Sequence, residues 1–459
     1  MKMTNFFLTA VAVLSLGAGS LPAQNLTPGY TPPPLPPVAS PQPYYAADTS
    51  AGNYELEHRI FQLEEAMKQK ADKVDNTKAF DVRLNGRVFF ESVTFGDPQV
   101  KDGNFSGQSD ILGAREVHIG IAGSGYRIFD YSVELSHTNG DGTEFRDVFF
   151  GIKNVPGLDY VRIGYYKLET GMEYVKSGLN TTAMETPTAS QSFSPGRRFG
   201  VGQTYYFANE QVRWFNGIFA STGVSAGNNK YINDPEGLIY NSRLTFVPYY
   251  AQDGARYLHF GGHYMYRENP DGRGARIGGF NRASTWFTAN ADASYYNQAG
   301  LEAAWGYGPL AITSELYAGS FGKGRDMYGG YVEVRYFLTG DVRPYNKRNG
   351  VAGGVRTKKN FLCVEEFIQT CHGKAKGFGI QSIGAWEVYT QWGFTDSDRI
   401  AARGGTGGRT TDLVLGLNWY LNPTTRTMFE YVHSDGTSHQ SGGFRATEDI
   451  FAVGFRFNF

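Results

Sequence analysis

From residue 80 to the end of the chain, apolar and polar side chains alternate with a period of two. In the final segment Phe451, Val453, Phe455, Phe457 and Phe459 are apolar, while Ala452, Gly454, Arg456 and Asn458 between them are small or polar. Val82, Leu84, Val88 and Phe90 alternate likewise with Arg83, Asn85, Arg87 and Glu91, and Leu413, Leu415, Leu417 and Trp419 with Asp412, Gly416, Asn418 and Tyr420. A strand points successive side chains to opposite sides, so each segment has one apolar and one polar face. Sixteen such segments are predicted, near residues 82–95, 114–123, 126–138, 145–154, 159–168, 199–208, 211–221, 238–248, 255–267, 294–306, 309–319, 329–339, 384–394, 410–421, 425–435 and 447–459. The stretch Ser284–Ala291 is also strand-like, but membrane barrels of bacteria carry an even number of strands, and it is assigned to a loop.

A soluble protein seldom ends on five apolar side chains of one strand face. A barrel of the bacterial outer membrane does so routinely, because that face meets lipid and the chain end closes the barrel. Mean hydropathy is −0.38, and no later stretch approaches the ~18 consecutive apolar residues of a helical span. Such a chain enters lipid as a closed barrel, in which polar and apolar faces average out. The fold expected is all-β transmembrane: a 16-stranded antiparallel outer-membrane β-barrel with a short N-terminal coiled-coil helix. A barrel of that width is not filled by its own side chains and leaves a water channel.

Turn lengths give the orientation. Gly123–Gly125, Asn154–Leu158, Ala208–Glu210, Gly306–Pro309 and Asn422–Thr424 are short and belong on the periplasmic side. Residues 96–113, 169–198, 222–237, 268–293 and 395–409 are longer and belong outside. The strand count places one long Arg/Lys-rich connection, 340–379, on the periplasmic side.

The region before the barrel reads in three parts. Lys2, the apolar run Phe6–Leu16 and the small residues up to Ala23 form a signal peptide, 1–23. A Pro-rich linker, 24–52, cannot donate a hydrogen-bond ladder and is an extended spacer. In 53–78, Leu56, Ile60, Leu63 and Met67 follow the 4-3-4 spacing of a coiled-coil seam. So short a helix needs partners, either other copies in a trimer or the mouth of the barrel, which begins at residue 79.

Composition narrows the functions. The 459 residues include 59 Gly, 30 Tyr and 33 Phe, as aromatic girdles and crowded lumen positions require. The net charge of −1 gives no reason to expect nucleic-acid binding. Cys363 and Cys371 are the only cysteines and lie in one late loop, where a local disulfide is the first reading and metal or haem binding the alternative. There is no His-Glu-x-x-His pair, and no catalytic residue, metal site or cofactor is assigned. His118, His259 and His263 face the lumen by parity. Asn139–Glu144 lacks the ligand spacing of a calcium loop and reads as a hairpin turn.

Several stretches in order resemble the phosphate-selective porins O and P. They are Tyr336-Phe-Leu-Thr-Gly-Asp-Val-Arg-Pro-Tyr345 followed by Gly384-Ala-Trp-Glu387, Leu415-Gly-Leu-Asn-Trp-Tyr-Leu-Asn-Pro423, and Ile163-Gly-Tyr-Tyr-Lys-Leu-Glu169 returning through Pro195-Gly-Arg-Arg-Phe-Gly200. The resemblance runs from about Asn85 to Phe459. It implies a homotrimeric sixteen-stranded porin whose third outer loop folds inward as a constriction, with a long periplasmic turn like 340–379. Two departures stand out. The family has a Pro after the Lys where this chain has Leu168-Glu169, and a Glu-Arg pair where this chain has Met184-Glu185-Thr186.

A pore favours anions when Arg and Lys line its narrow point, and the planar guanidinium suits phosphate. Strand parity places Arg83, Arg87, Arg162, Arg243, Arg335 and Arg456 in the lumen. Lys167, Lys176, Arg197 and Arg198 belong in or beside the third loop, with the last two both able to face the pore as loop residues. Parity also puts Glu91, Glu116, Asp147, Glu333, Glu387 and Glu430 inside, so structural ion pairing is the competing role for each arginine. The function expected is passive diffusion of small anions, phosphate a candidate, through a water-filled channel set in outer-membrane lipid. The alternatives are a general porin with little ion selectivity, or a barrel anchor whose periplasmic arm contacts peptidoglycan.

Overall fold

The computed structural model describes residues 80–459 apart from 104, 106–108, 139–141, 223–236, 271–275, 279–284, 290, 292, 362–381 and 440–442. The chain divides into two units, Met1–Asp81 and Val82–Phe459, and the second holds the barrel. The signal peptide, linker and coiled coil expected in 1–78 lie outside the described residues, as do Cys363 and Cys371.

The alternating segments form sixteen barrel strands: β1 (Phe80–Phe95), β2 (Ile111–Gly125), β3 (Phe129–Thr138), β4 (Gly142–Val155), β5 (Leu158–Lys167), β6 (Arg197–Phe207), β7 (Val212–Ala220), β8 (Leu238–Ala251), β9 (Arg256–Glu268), β10 (Tyr295–Tyr307), β11 (Leu310–Ser320), β12 (Asp326–Phe337), β13 (Ala385–Asp396), β14 (Gly408–Asn422), β15 (Thr425–Ser438) and β16 (Phe444–Asn458). Each pairs antiparallel with the next, and β16 returns to β1 with Phe90 opposite Phe455. Closure removes every sheet edge, which hydrocarbon could not have satisfied. Thr285–Thr288, inside the strand-like stretch set aside above, forms a separate two-stranded sheet with Arg276–Gly278 within the loop after β9. Among the described residues no helix is long and apolar enough to cross a membrane.

Boundaries moved at two informative places. Strand β2 runs through Gly123–Gly125, and the turn falls on the next three residues, where Tyr126 and Arg127 take left-handed φ of 46° and 62°. Strand β6 begins at Arg197 rather than Phe199, so Arg197 and Arg198 are strand residues and not loop residues.

The exposed face is apolar and the buried face polar, the reverse of a soluble protein. Leu301, Leu415, Phe451 and Phe459 are exposed on the outside, whereas Arg243, His259, Glu387 and Asn418 are fully buried inside. Apolar residues on the inner face gather where loop 168–196 folds into the barrel. Leu168, Ala189 and Phe193 of that loop pack with Phe215 and Phe219 of β7 and Tyr317 of β11, and the Phe193 and Tyr317 rings stack at 5.1 Å. Further along, Ala183 and Met184 pack with Val93, Val414, Met428 and Ile450. The loop carries two short helices, α1 (Met172–Val175) and α2 (Thr188–Ser192).

Candidate pore and constriction

The inward loop is anchored first at its root. Leu168 and Glu169 stand where the family pattern has Pro, and here they fix the loop. Arg213 of β7 donates two hydrogen bonds to the Glu169 carboxylate, both at 2.6 Å, and Asn241 of β8 accepts the Glu169 N–H at 2.9 Å. Burial pushes the Glu169 carboxyl up, but the Arg213 fork, with Arg243 behind it, holds it below the usual carboxylate range. The chain then turns at Gly171, whose φ of 124° favours glycine. A Cβ there would meet a Glu315 oxygen at 2.5 Å.

Beyond Gly171 the wall captures the loop backbone atom by atom. Glu315 accepts the N–H groups of Met172 (2.5 Å) and Glu173 (2.9 Å), and Glu430 accepts that of Met184 (2.9 Å). Loop carbonyls are taken by wall donors: Gly178 and Met184 by Arg456, Thr181 by Arg426, and Thr182 by Asn418. Buried backbone groups must find partners, and here charged lumen residues and Asn418 supply them.

The long periplasmic connection folds upward to meet the loop. Arg343 donates to the Asn180 carbonyl and pairs with Glu387 at 3.2 Å. Tyr345 lies against His259, Oη to Nδ1 at 2.6 Å. Arg243 forks onto Glu302 at 2.7 and 2.8 Å and donates to Gly350 O at 2.8 Å.

Partly exposed charge remains on the inner face of β1–β6. Arg87 lies 3.0 Å from Glu116, Arg115 lies 2.6 Å from Glu185 of the loop, Lys153 lies 2.9 Å from Asp130, and Arg197 lies 2.9 Å from Asp147. Arg162 stands 4.4 Å from the Phe149 ring centre and donates from Nε to Tyr160 Oη at 3.3 Å. Lys167 donates to the carbonyls of Tyr174 and Lys176, 2.9 and 3.1 Å.

The predicted residues thus fall into different surroundings. Arg243, Arg335 and Arg456 are buried, and Arg335 reaches Thr182 Oγ1 at 3.4 Å. Lys176 is buried 2.5 Å from Glu173. Arg87, Arg162, Lys167 and Arg197 line the β1–β6 side. Arg198 donates to the carbonyls of Ser221 (3.2 Å) and Arg197 (2.8 Å). Arg83 is exposed near the start of β1. His118, His259 and His263 are buried. Arg115 was not singled out; strict alternation with Glu116 would turn it outward, yet it meets Glu91 and Glu185. Arg213, Arg343 and Arg426 were not singled out at all, although Arg343 lies within the Tyr336–Tyr345 motif. The overlooked signal was apolar residues on polar faces, such as Phe89, Val93 and Phe215, which mark where something packs inside.

A closed sixteen-strand barrel narrowed by an inward third loop is the architecture of a porin. The sequence model described as phosphate-selective porin O and P matches residues 82–459. The chain belongs to that porin family. This porin resides in the bacterial outer membrane and forms a water-filled channel. Its fold is similar to the anion-selective porin of Comamonas acidovorans (11% identity, TM-score 0.50, covering 83% of this chain and 100% of that one). It is also similar to Pseudomonas putida OprB at high pH (8% identity, TM-score 0.50, 85% and 96%). In-vitro folded OmpT of Vibrio cholerae, in its trimer form, matches at 12% identity with TM-score 0.48, covering 83% of this chain and 100% of that one. No curated protein matches the chain by sequence.

Proposed function

We propose that this porin passes small anionic solutes by diffusion, with modest selectivity, between loop 168–196 and the inner face of β1–β6. The observation that carries this reading is the division of labour among the basic residues. Arg213, Arg243, Arg343, Arg426 and Arg456 are buried and spent on the loop, its supporting carboxylates and the periplasmic connection. Arg87, Arg115, Arg162, Lys167 and Arg197 keep partial exposure along one wall. Guanidinium groups in a low-dielectric passage attract anions, and neighbouring carboxylates temper the preference. Phosphate is one such anion. The working unit is a homotrimer, as the family resemblance and the heptad spacing of residues 53–78 suggest.

Reversal potentials in a KCl gradient across planar bilayers test the reading. Chloride preference is expected, and Arg87→Glu or Arg197→Glu shifts it toward potassium. A cation-preferring wild-type channel would overturn it.

A further inference from the structure

Arg162 differs from the other basic residues of the β1–β6 wall. Arg87, Arg115, Lys153 and Arg197 each stand beside one or more carboxylates, and Lys167 gives its protons to two loop carbonyls. Arg162 forms no ion pair among the described residues, and its two terminal nitrogens donate to no protein group there. Two carboxylates of its neighbourhood are engaged elsewhere, Asp130 by Lys153 and Glu169 by Arg213. Aromatic rings surround the guanidinium instead. The ring centres of Phe149, Tyr166 and Tyr160 lie 4.4, 5.0 and 5.4 Å from it. The backbone is shaped for them: Gly151 and Gly202 flank Arg162 on the adjoining strands, and a Cβ at Gly202 would come within 2.6 Å of Tyr166 Oη.

Rings against a guanidinium leave its edge for a ligand, and that edge matches the two oxygens of a carboxylate. Phe149 and Tyr160 are themselves part-exposed, so an apolar solute body beside the carboxylate gains cover from them. A phosphate brings further oxygens, which would lose water against ring surface that offers no donor. The Tyr160 hydroxyl supplies none, since it donates to Asp130 at 3.0 Å and accepts from Arg162 Nε. We propose that Arg162, Phe149 and Tyr160 form a pore site for monocarboxylates with an apolar body, aromatic ones held best. This rests on the β1–β6 wall being the conduction path, and it deepens the anionic reading by naming the class of anion.

The test uses the full-length porin in planar bilayers, with benzoate, acetate and inorganic phosphate as probes. With bulk conductivity corrected for, benzoate is expected to reduce single-channel KCl current several-fold more than acetate or phosphate at equal concentration. Arg162→Gln is expected to abolish the benzoate effect, whereas an effect of benzoate dissolved in the lipid would persist in that variant. Phe149→Leu keeps the charge and much of the apolar volume but removes the ring, and is expected to bring benzoate down to the level of acetate. It serves if Arg162→Gln does not reach the folded form seen by heat-modifiable gel mobility. The proposal is overturned if acetate or phosphate blocks the wild type as strongly as benzoate, or if the variants that fold keep the benzoate response. The two readings fail separately. If Arg87→Glu and Arg197→Glu alter neither current nor ion preference, the conduction path itself is wrong; if they alter them while benzoate acts no more strongly than acetate, only the carboxylate site is lost.

Discussion

Arg243 illustrates what a single buried charge does in this barrel. It forks onto Glu302 and reaches Gly350, so it joins β8, β10 and the periplasmic connection at one point. Arg243→Met strands Glu302, and removing one partner of a buried pair costs about 3–5 kcal/mol. Urea unfolding in detergent should show that loss, and the double change Arg243→Met with Glu302→Gln should recover much of it. Glu169 sets a pH limit. Its pKa in the folded protein is held down by Arg213 and Arg243, so the clamp contributes fully above the ordinary carboxylate range. That contribution fades as pH falls through the depressed folded value. Resistance of the loop to protease should therefore hold through mildly acidic pH and fall only below that range, with Glu169→Gln removing this pH dependence. A loop released already near neutral pH would contradict the sign.

At the scale of elements, loop 168–196 behaves as a strap, because opposite walls grip its backbone. Glu315 holds two N–H groups at the start of α1, and Tyr331 also donates to it at 2.8 Å. Glu315→Ala releases these without touching barrel pairing. Noisier single-channel currents and a higher mean conductance are expected, with the melting of the barrel little changed. Bilayer recording beside a thermal melt separates the two effects; unchanged noise would mean the loop is held elsewhere. Gly171→Ala is expected to act in the same direction, since both its φ and the contact with Glu315 forbid a methyl group.

For the whole molecule, closure and lipid contact decide whether a channel exists. Phe459 and Gly86 exchange two backbone hydrogen bonds at 3.0 Å, and the Phe459 ring covers Gly86, where a Cβ would lie 2.7 Å from ring atom Cε1. Deleting Phe459 removes part of the β1–β16 seam and should lower the yield of folded barrel in gel-mobility assays. On the outer face, Leu415 is exposed to lipid in β14. Leu415→Arg should cost about 2–4 kcal/mol if it sits near the bilayer midplane, and less near either interface. Measured in refolding titrations, that cost also reports the depth of the residue.

The period-two alternation determined much of this protein by itself. A strand has only two faces, so Leu413 to Trp419 outside and Asp412 to Asn418 inside follow from neighbours in sequence, and sixteen such segments close a barrel. Where the alternation slips, as at Arg115, or where a strand extends into a loop, as at Arg197, the local pattern no longer locates a side chain. The sequence could also place Arg456 in the lumen without revealing what it does there. Only the tertiary structure decided that Arg456 holds carbonyls of Gly178 and Met184 while Arg87 stays partly open beside Glu116. The use of a lumen charge depends on which distant backbone or carboxylate arrives beside it, and residues hundreds of positions apart meet only after the loop has folded inward.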